Sequence, residues 1–252
     1  MRIEGAHVVV TGAASGIGAA LARRFAAEGA RAVVVADIQD TPLRDVAGNI
    51  GAMAQRCDVT KESDIVALVD AAETANGPID LFCSNAGIAM LGGEQMSNDE
   101  WRLSIDVNVM SHVWAARALV PRMLERGRGY LLQTASAAGL LTQIGSAPYS
   151  VTKHAVVAFA EWLTITYGER GIKVSVLAPQ AVRTAMTAGI PGGGVAGVDG
   201  MIEPDDVADA VVAGLDAEQF LILPHPVVLE YFRRKADDYD RWLSGMRRLQ
   251  AR

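Results

Sequence analysis

The chain has 252 residues, a formal charge of −6 and a half-hydrophobic composition, enough apolar material for one large core or two small ones. The acidic balance and the lack of a long basic run argue against a nucleic-acid partner, whose phosphates require clustered Lys and Arg. No apolar run reaches the ~20 residues of a membrane-spanning helix.

The opening residues Met1-Arg2-Ile3-Glu4-Gly5 lead straight into a strand pattern, which predicts no signal peptide. Cys57 and Cys83, the two cysteines, each end an apolar run. Buried, reduced thiols are expected there rather than a disulfide or a metal site, and a cytoplasmic location follows from that expectation.

His7–Thr11 is a β-branched run and predicts a buried first strand. Gly12-Ala13-Ala14-Ser15-Gly16-Ile17-Gly18 and an Ala-rich helix over about 16–29 follow. Strand, glycine turn and helix make a phosphate-binding layout, because glycines permit close backbone approach and a helix N-terminus offers free N–H groups. The same layout serves as a plain strand-to-helix turn. A second strand, Ala32–Ala36, ends at Asp37 and Ile38. An acid there is placed to accept hydrogen bonds from ribose hydroxyls and to repel a 2′-phosphate. A helix is predicted over 40–50 and a third strand over 52–57. Asp58-Val59 follows, and Thr60 is the expected N-cap of a helix over 61–76.

Ile79–Ser84 predicts the fourth strand, running into the small residues Asn85-Ala86-Gly87. A single long helix is expected over 98–125, with Asn108 inside it; Asn is a poor residue in mid-helix and needs a reason. Strand 128–134 leads to Ser136, and a helix over 147–170 carries Tyr149 and Lys153. That i, i+4 pair shares a helix face. By itself it reads as an aromatic packing residue beside a solvated amine. The alternative is a tyrosine that exchanges a proton near neutral pH, since an adjacent ammonium favours the phenolate. A sixth strand over 174–178, ending in Pro179-Gln180, a Gly- and Ala-rich flap over 185–202, a helix to about 216, a strand over 220–223 and one charged helix over 227–250 complete the chain. Strands alternate with helices and no linker divides them, so one doubly wound α/β domain is expected, with a parallel sheet of about seven strands and helices on both faces.

Thr11-Gly12-x-x-x-Gly16-Ile17-Gly18, Asp58-Val59, Asn85-Ala86-Gly87, Asn108, Ser136 and Tyr149-x-x-x-Lys153 occur in an order that resembles the short-chain dehydrogenase/reductase family, over about residues 5–184. The resemblance implies a nicotinamide dinucleotide across the strand ends and hydride transfer at a carbonyl carbon. It makes Tyr149 the acid/base, Ser136 a hydrogen-bonding partner of the substrate oxygen, and Lys153 a group that grips the nicotinamide ribose and lowers the tyrosine pKa. It makes Asn108 the holder of a water linking Lys153 to solvent. Gly12, Ser15, Gly16, Ile17, Gly18, Asp37, Ile38, Asp58, Val59, Asn85, Ala86, Gly87, Pro179, Val182 and Thr184 are the implied cofactor contacts, with Tyr149 and Lys153. The resemblance also suggests a homotetramer packed through the long helices. Two features depart from the pattern: Gln180 stands where Gly is usual, and Pro224-His225-Pro226 with the tail 227–252 replaces a glycine-rich end.

Asp37, followed by Ile38 rather than a basic residue, favours NAD over an NADP-dependent reductase of 3-oxoacyl type. The joint presence of Ser136, Tyr149 and Lys153 argues against a non-catalytic dinucleotide sensor. Ser136, Leu140, Leu141, Ile144, Gln180, Met186 and Ile190 are expected near the substrate; with no Arg or Lys among them, a lipophilic secondary alcohol or ketone is expected.

Overall fold

The structure, a computed structural model, describes residues 1–251. Seven strands form one parallel sheet: β1 (His7–Thr11), β2 (Ala32–Asp37), β3 (Met53–Arg56), β4 (Leu81–Ser84), β5 (Gly129–Thr134), β6 (Ile172–Leu177) and β7 (Leu221–Ile222). The order is β3-β2-β1-β4-β5-β6-β7, so it reverses between β1 and β4 and opens a crevice beyond their carboxyl ends.

Helices on both faces explain the unbroken apolar strands. Val8 and Val10 point into one core with Leu21, Phe25 and Leu43, while Val9 points into the other with Phe82, Leu119 and Met123. Helix α1 (Gly16–Ala27) can sit tightly on the first strand's end because residue 18 is glycine; a Cβ there would lie 2.1 Å from the Gly12 carbonyl oxygen. Helices α2 (Asp40–Ile50) and α3 (Glu62–Asn76) complete the first half. Lys61, not Thr60, is the N-cap of α3; the Thr60 hydroxyl donates instead to Asp58 Oδ1 at 2.7 Å.

The expected helix 98–125 is interrupted. It runs as α4 (Asn98–Ile105), a π-helical turn (Asp106–Met110) and α5 (Ser111–Glu125). Asn108 sits in that turn, and its amide bonds to another segment. After a short α6 (Ala138–Leu141) comes α7 (Ala147–Tyr167), which ends in a 3-10 turn over Gly168–Arg170. The 185–202 segment holds a 3-10 turn, Pro191–Gly197, and α8 (Pro204–Asp216) follows it.

The tail is two helices rather than one, α9 (Val227–Asp237) and α10 (Tyr239–Gln250). Asp238 breaks it with extended backbone (φ −152°, ψ 93°), and its carboxylate accepts the Arg241 N–H at 2.9 Å as an N-cap.

His112 in α5 is fully buried against Gln133, and its pKa is pushed down to about 3, first by burial and then by the nearby charge of Lys153, against the Gln133 hydrogen bond. As pH falls below the ordinary 6.5, the unfolded chain binds a proton that folded His112 refuses until about 3. Stability should therefore drop by up to roughly 1.4 kcal/mol per pH unit in that window. His112→Asn should flatten the limb between neutral pH and about pH 4 in urea titrations. His7 and His225 are also held low by burial, so the difference from wild type isolates His112.

Candidate active site

The ends of β1, β4 and β5 are tied by two side chains. The Thr11 hydroxyl donates to Cys83 O at 3.2 Å and accepts from the N–H groups of Asn85 (3.0 Å) and Ala86 (3.2 Å). Asn85 Nδ2 donates to Thr11 O at 3.0 Å, and its Oδ1 accepts from the Thr134 hydroxyl at 3.3 Å. Thr11 is thus a site-building residue that sequence reasoning quoted only as part of a motif.

Ser15 is the extended N-cap of α1, and its side chain makes no capping bond. The first N–H groups of α1 are left for another acceptor, which suits a phosphate. Gly12 meets the Ala86 backbone closely; a Cβ on Gly12 would lie 2.7 Å from Ala86 Cα. A Cβ on Gly16 would lie 3.1 Å from the Thr184 methyl. Asp37 is fixed at the crevice edge: Oδ2 accepts the Ala14 N–H at 3.1 Å and Oδ1 the Gln39 N–H at 3.0 Å. Ile38 beside it is half exposed, Ile17 and Val59 pack on the two cores, and Asp58 is occupied by Thr60 and Lys61. Val182 O accepts the Thr187 hydroxyl at 2.7 Å, and Thr184 N–H donates to the same hydroxyl at 3.1 Å. A cavity of about 590 Å³ opens between Gly16, Thr184, Ala188 and Ile190. A glycine turn with free N–H groups, an acid at the second strand's end and small residues at 85–87 fit a dinucleotide.

Four polar residues converge on the far side. Asn108 Oδ1 accepts the Ile88 N–H at 2.9 Å, while Nδ2 donates to Ile88 O at 2.9 Å and to the Thr152 hydroxyl at 3.1 Å. Its amide therefore joins the π-helical turn to the 85–88 loop and to α7. Lys153, 3% exposed, donates from Nζ to Thr134 O at 2.9 Å; burial lowers its pKa to about 8. A Cβ on Gly87 would stand 3.3 Å from Asn108 Oδ1 and 3.4 Å from Lys153 Nζ, so glycine leaves this corner open. Lys153 Nζ is 5.7 Å from the Tyr149 ring centroid.

The Tyr149 phenol stands above its ordinary pKa because burial of the ring outweighs the easing effect of the Ser136 hydroxyl. That differs from the lowered value expected from Lys153, whose ammonium is committed to Thr134 O. Ser136 Oγ accepts the Ala138 N–H at 3.1 Å and donates weakly to Pro179 O at 3.4 Å.

Ser136 also lines a cavity of about 600 Å³. Leu141 and Gln180 line it as expected from sequence, and Ala137, Val195 and Val198 add apolar wall. The other expected substrate residues do not line it. Leu140 is buried in the core, and its carbonyl oxygen accepts the Lys235 ammonium at 2.6 Å. Ile190 lies in the cavity beside Gly16, Ile144 lies outside the lining, and Met186 is 45% exposed.

The outer wall comes from the tail: Tyr231, Trp242, Met246 and Leu249 are joined by Arg234, Arg241 and Arg248. The expectation of a site without basic residues is therefore corrected. Lys235 pins α9 against α6 and places its ammonium 5.3 Å from the Tyr239 ring centroid, while the rings of Tyr231 and Trp242 stand 6.4 Å apart. The available signal was a lysine at position 235, four residues from each of two tyrosines, Tyr231 and Tyr239.

Among the described residues no group of His, Cys, Asp and Glu could hold a metal ion, and no helix is long and apolar enough to cross a membrane. Both cysteines are free and buried, and burial raises both thiol pKa values, that of Cys57 to about 12.

A family model described as short chain dehydrogenase matches residues 6–192. The chain is 37% identical over 253 residues to the 1-deoxy-11-beta-hydroxypentalenate dehydrogenase of Streptomyces exfoliatus, covering 97% of this chain and 92% of that protein. It is 35% identical over 189 residues to the mitochondrial borneol dehydrogenase of Lavandula x intermedia, covering 74% of this chain and 73% of that protein. A short chain dehydrogenase/reductase from Burkholderia phymatum, solved in complex with NAD, superposes with a TM-score of 0.88 at 29% identity, covering 95% of this chain and 96% of that one. Since the family model spans most of the chain and a relative at this identity spans nearly all of it, the chain belongs to the short chain dehydrogenase family.

Proposed function

We propose that this oxidoreductase uses NAD and moves hydride between the nicotinamide and the carbinol carbon of a secondary alcohol with an apolar, cyclic body. The observation that carries the reading is the placing of Ser136 both next to Tyr149 and in the wall of the large cavity, with Lys153 behind them. A bound nicotinamide supplies the hydride acceptor and, when oxidised, a positive ring that favours the phenolate.

The chain's own residues do the rest. The Ser136 hydroxyl donates to the substrate oxygen, and Tyr149 takes the alcohol proton as the carbonyl forms. Lys153, held against Thr134 O, keeps its charge below about pH 8, supports the phenolate and holds the ribose. Asn108 keeps α7 and the 85–88 loop in register behind Lys153 through its bonds to Thr152 and Ile88. The apolar wall from Leu141, Val198, Trp242 and Leu249 supports a lipophilic body, and the arginines lie on the tail side. The names of the two relatives, a hydroxypentalenate and a borneol dehydrogenase, support a cyclic alcohol.

The test is NAD reduction over a panel of alcohols. Cyclic secondary alcohols should give the highest kcat/KM; small polar hydroxy acids turning over faster than any of them would defeat the substrate reading. A homotetramer is part of the proposal. Val151, Trp162 and Ile165 leave an apolar face of α7 exposed, Ile165 at 83%, and such a face suits a subunit contact. Sedimentation at micromolar concentration should give a tetramer, and a monomer would contradict it.

A further inference from the structure

We propose that Lys235 is a positioning residue that governs substrate size: its buried bond to Leu140 sets how far the tail closes over the substrate, and so how well bulky ring systems bind. This rests on the proposed function, in which the cavity beside Ser136 holds the substrate.

Lys235 is 5% exposed, and its ammonium is directed at Leu140 O, 2.6 Å away, and at the face of the Tyr239 ring. A buried ammonium offsets the cost of its burial only while such contacts are kept. Leu140 O is among the last carbonyls of α6, which lack partners within a helix and suit a cation. The same short helix is fixed on its other sides by the catalytic groups. The Ala138 N–H donates to Ser136 Oγ, and Gly139 packs on α7 so closely that a Cβ there would lie 2.5 Å from Lys153 O. Thr142, just after α6, is β-branched yet has φ 75° and ψ 134°, a strained backbone that only its surroundings can hold. Its N–H donates to Ala138 O at 3.0 Å, and the next one, of Gln143, donates to Ser150 Oγ at 2.8 Å. Leu141, Thr142 and Gln143 line the cavity. From Lys235 the chain runs through the break at Asp238 into α10, whose Trp242, Met246 and Leu249 form the outer wall. The bond of Lys235 to Leu140 thus sets the spacing between the two walls. A second tie, from the Tyr231 hydroxyl to Asp199 Oδ1 at 2.9 Å, keeps α9 on the 185–202 segment, so without Lys235 the tail stays attached but loses its register with α6. A small alcohol held at Ser136 fills only the near part of the 600 Å³ cavity and does not depend on that register; a bicyclic body reaches the tail and does.

In the test, wild type, Lys235→Met, Lys235→Arg, Trp242→Ala and the Lys235→Met/Trp242→Ala double variant are compared on decahydro-2-naphthol and on cyclohexanol, with NAD saturating. Lys235→Met should raise KM for the bicyclic alcohol roughly tenfold with kcat nearly kept, while KM for cyclohexanol and the Kd of NAD change little. Lys235→Arg, which keeps a cationic donor, should restore most of the wild-type KM. Trp242→Ala should raise the same KM, and adding Lys235→Met to it should raise it little further, because both act through one wall. An unchanged KM for the bicyclic alcohol in Lys235→Met, or an equal loss on both alcohols, would make Lys235 a structural tie only and overturn the assignment. Should Lys235→Met not fold, Lys235→Gln, one atom shorter and still polar, takes its place with the same expected and overturning results. Turnover of neither alcohol by wild type would count against the proposed function instead. Calorimetric binding of decahydro-2-naphthol to NAD-loaded protein would then decide the role of Lys235: roughly tenfold weaker binding in Lys235→Met supports it, and equal binding ends it.

Discussion

Tyr149→Phe should lower kcat by roughly 10²- to 10⁴-fold, the share of catalysis that a positioned proton-transfer group supplies. The substitution keeps the ring, which the fold half-buries beside Ser136 and Lys153, and removes only the hydroxyl. NAD affinity should therefore change little, since the glycine turn, Asp37 and Lys153 are untouched. The loss should appear in kcat and kcat/KM together, as for an interaction made in the transition state alone. The phenol needs help to ionise, because burial holds its pKa above the ordinary value and the Ser136 hydroxyl opposes this only in part. The proton must leave in a complex where positive charge has gathered around it, and Lys153 contributes to that charge only while protonated, below about pH 8. Steady-state kinetics with fluorescence titration of the cofactor separates the two effects. A Phe variant that kept a substantial share of wild-type turnover would remove Tyr149 from the reaction.

The parts of this site that could be read from sequence are those built within one or two neighbouring elements. The valine runs of β1 and β2 read as strands buried on both faces because both faces are in fact covered. Asn108 stood out as a misfit in a helix, and the structure supplies the cause: a π-helical turn whose amide serves Ile88 and Thr152. The outer wall of the cavity was not legible in this way. Tyr239, Trp242, Leu243, Met246 and Leu249 recur at helical spacing, and spacing cannot say what such a stripe faces: Trp242, Met246 and Leu249 line the cavity, while Tyr239 and Leu243 are half exposed. The contact that turns the tail over the site, Lys235 to Leu140 O, joins residues 95 positions apart. The break at Asp238 had a local signal, an Asp three residues before an N–H that it caps, hidden inside a run of charges.

The second large effect concerns cofactor choice. Wild type should bind NAD more tightly than NADP by roughly fivefold to a thousandfold, the range for a like-charge contact at about 4 Å between water-like and protein-like screening. Asp37 cannot swing aside, because the Ala14 and Gln39 N–H groups each hold one of its oxygens. Among the described residues it makes no ion pair that would blunt its charge, and the next residue is the apolar Ile38. Asp37→Ala should close much of the gap, and a nearby cation should add to the effect. Arg56 is the register partner of Asp37 across β2 and β3, is exposed, and has no ion-pair partner among the described residues. With the carboxylate gone, its guanidinium is free to meet a 2′-phosphate. Arg56→Ala in the Asp37→Ala background should therefore give back part of the gained NADP affinity while leaving NAD affinity nearly unchanged. Calorimetry on the two single variants, the double variant and wild type completes the cycle. Equal binding of both cofactors by wild type would refute the role given to Asp37, and unchanged NADP affinity on adding Arg56→Ala to Asp37→Ala would remove Arg56 from the account.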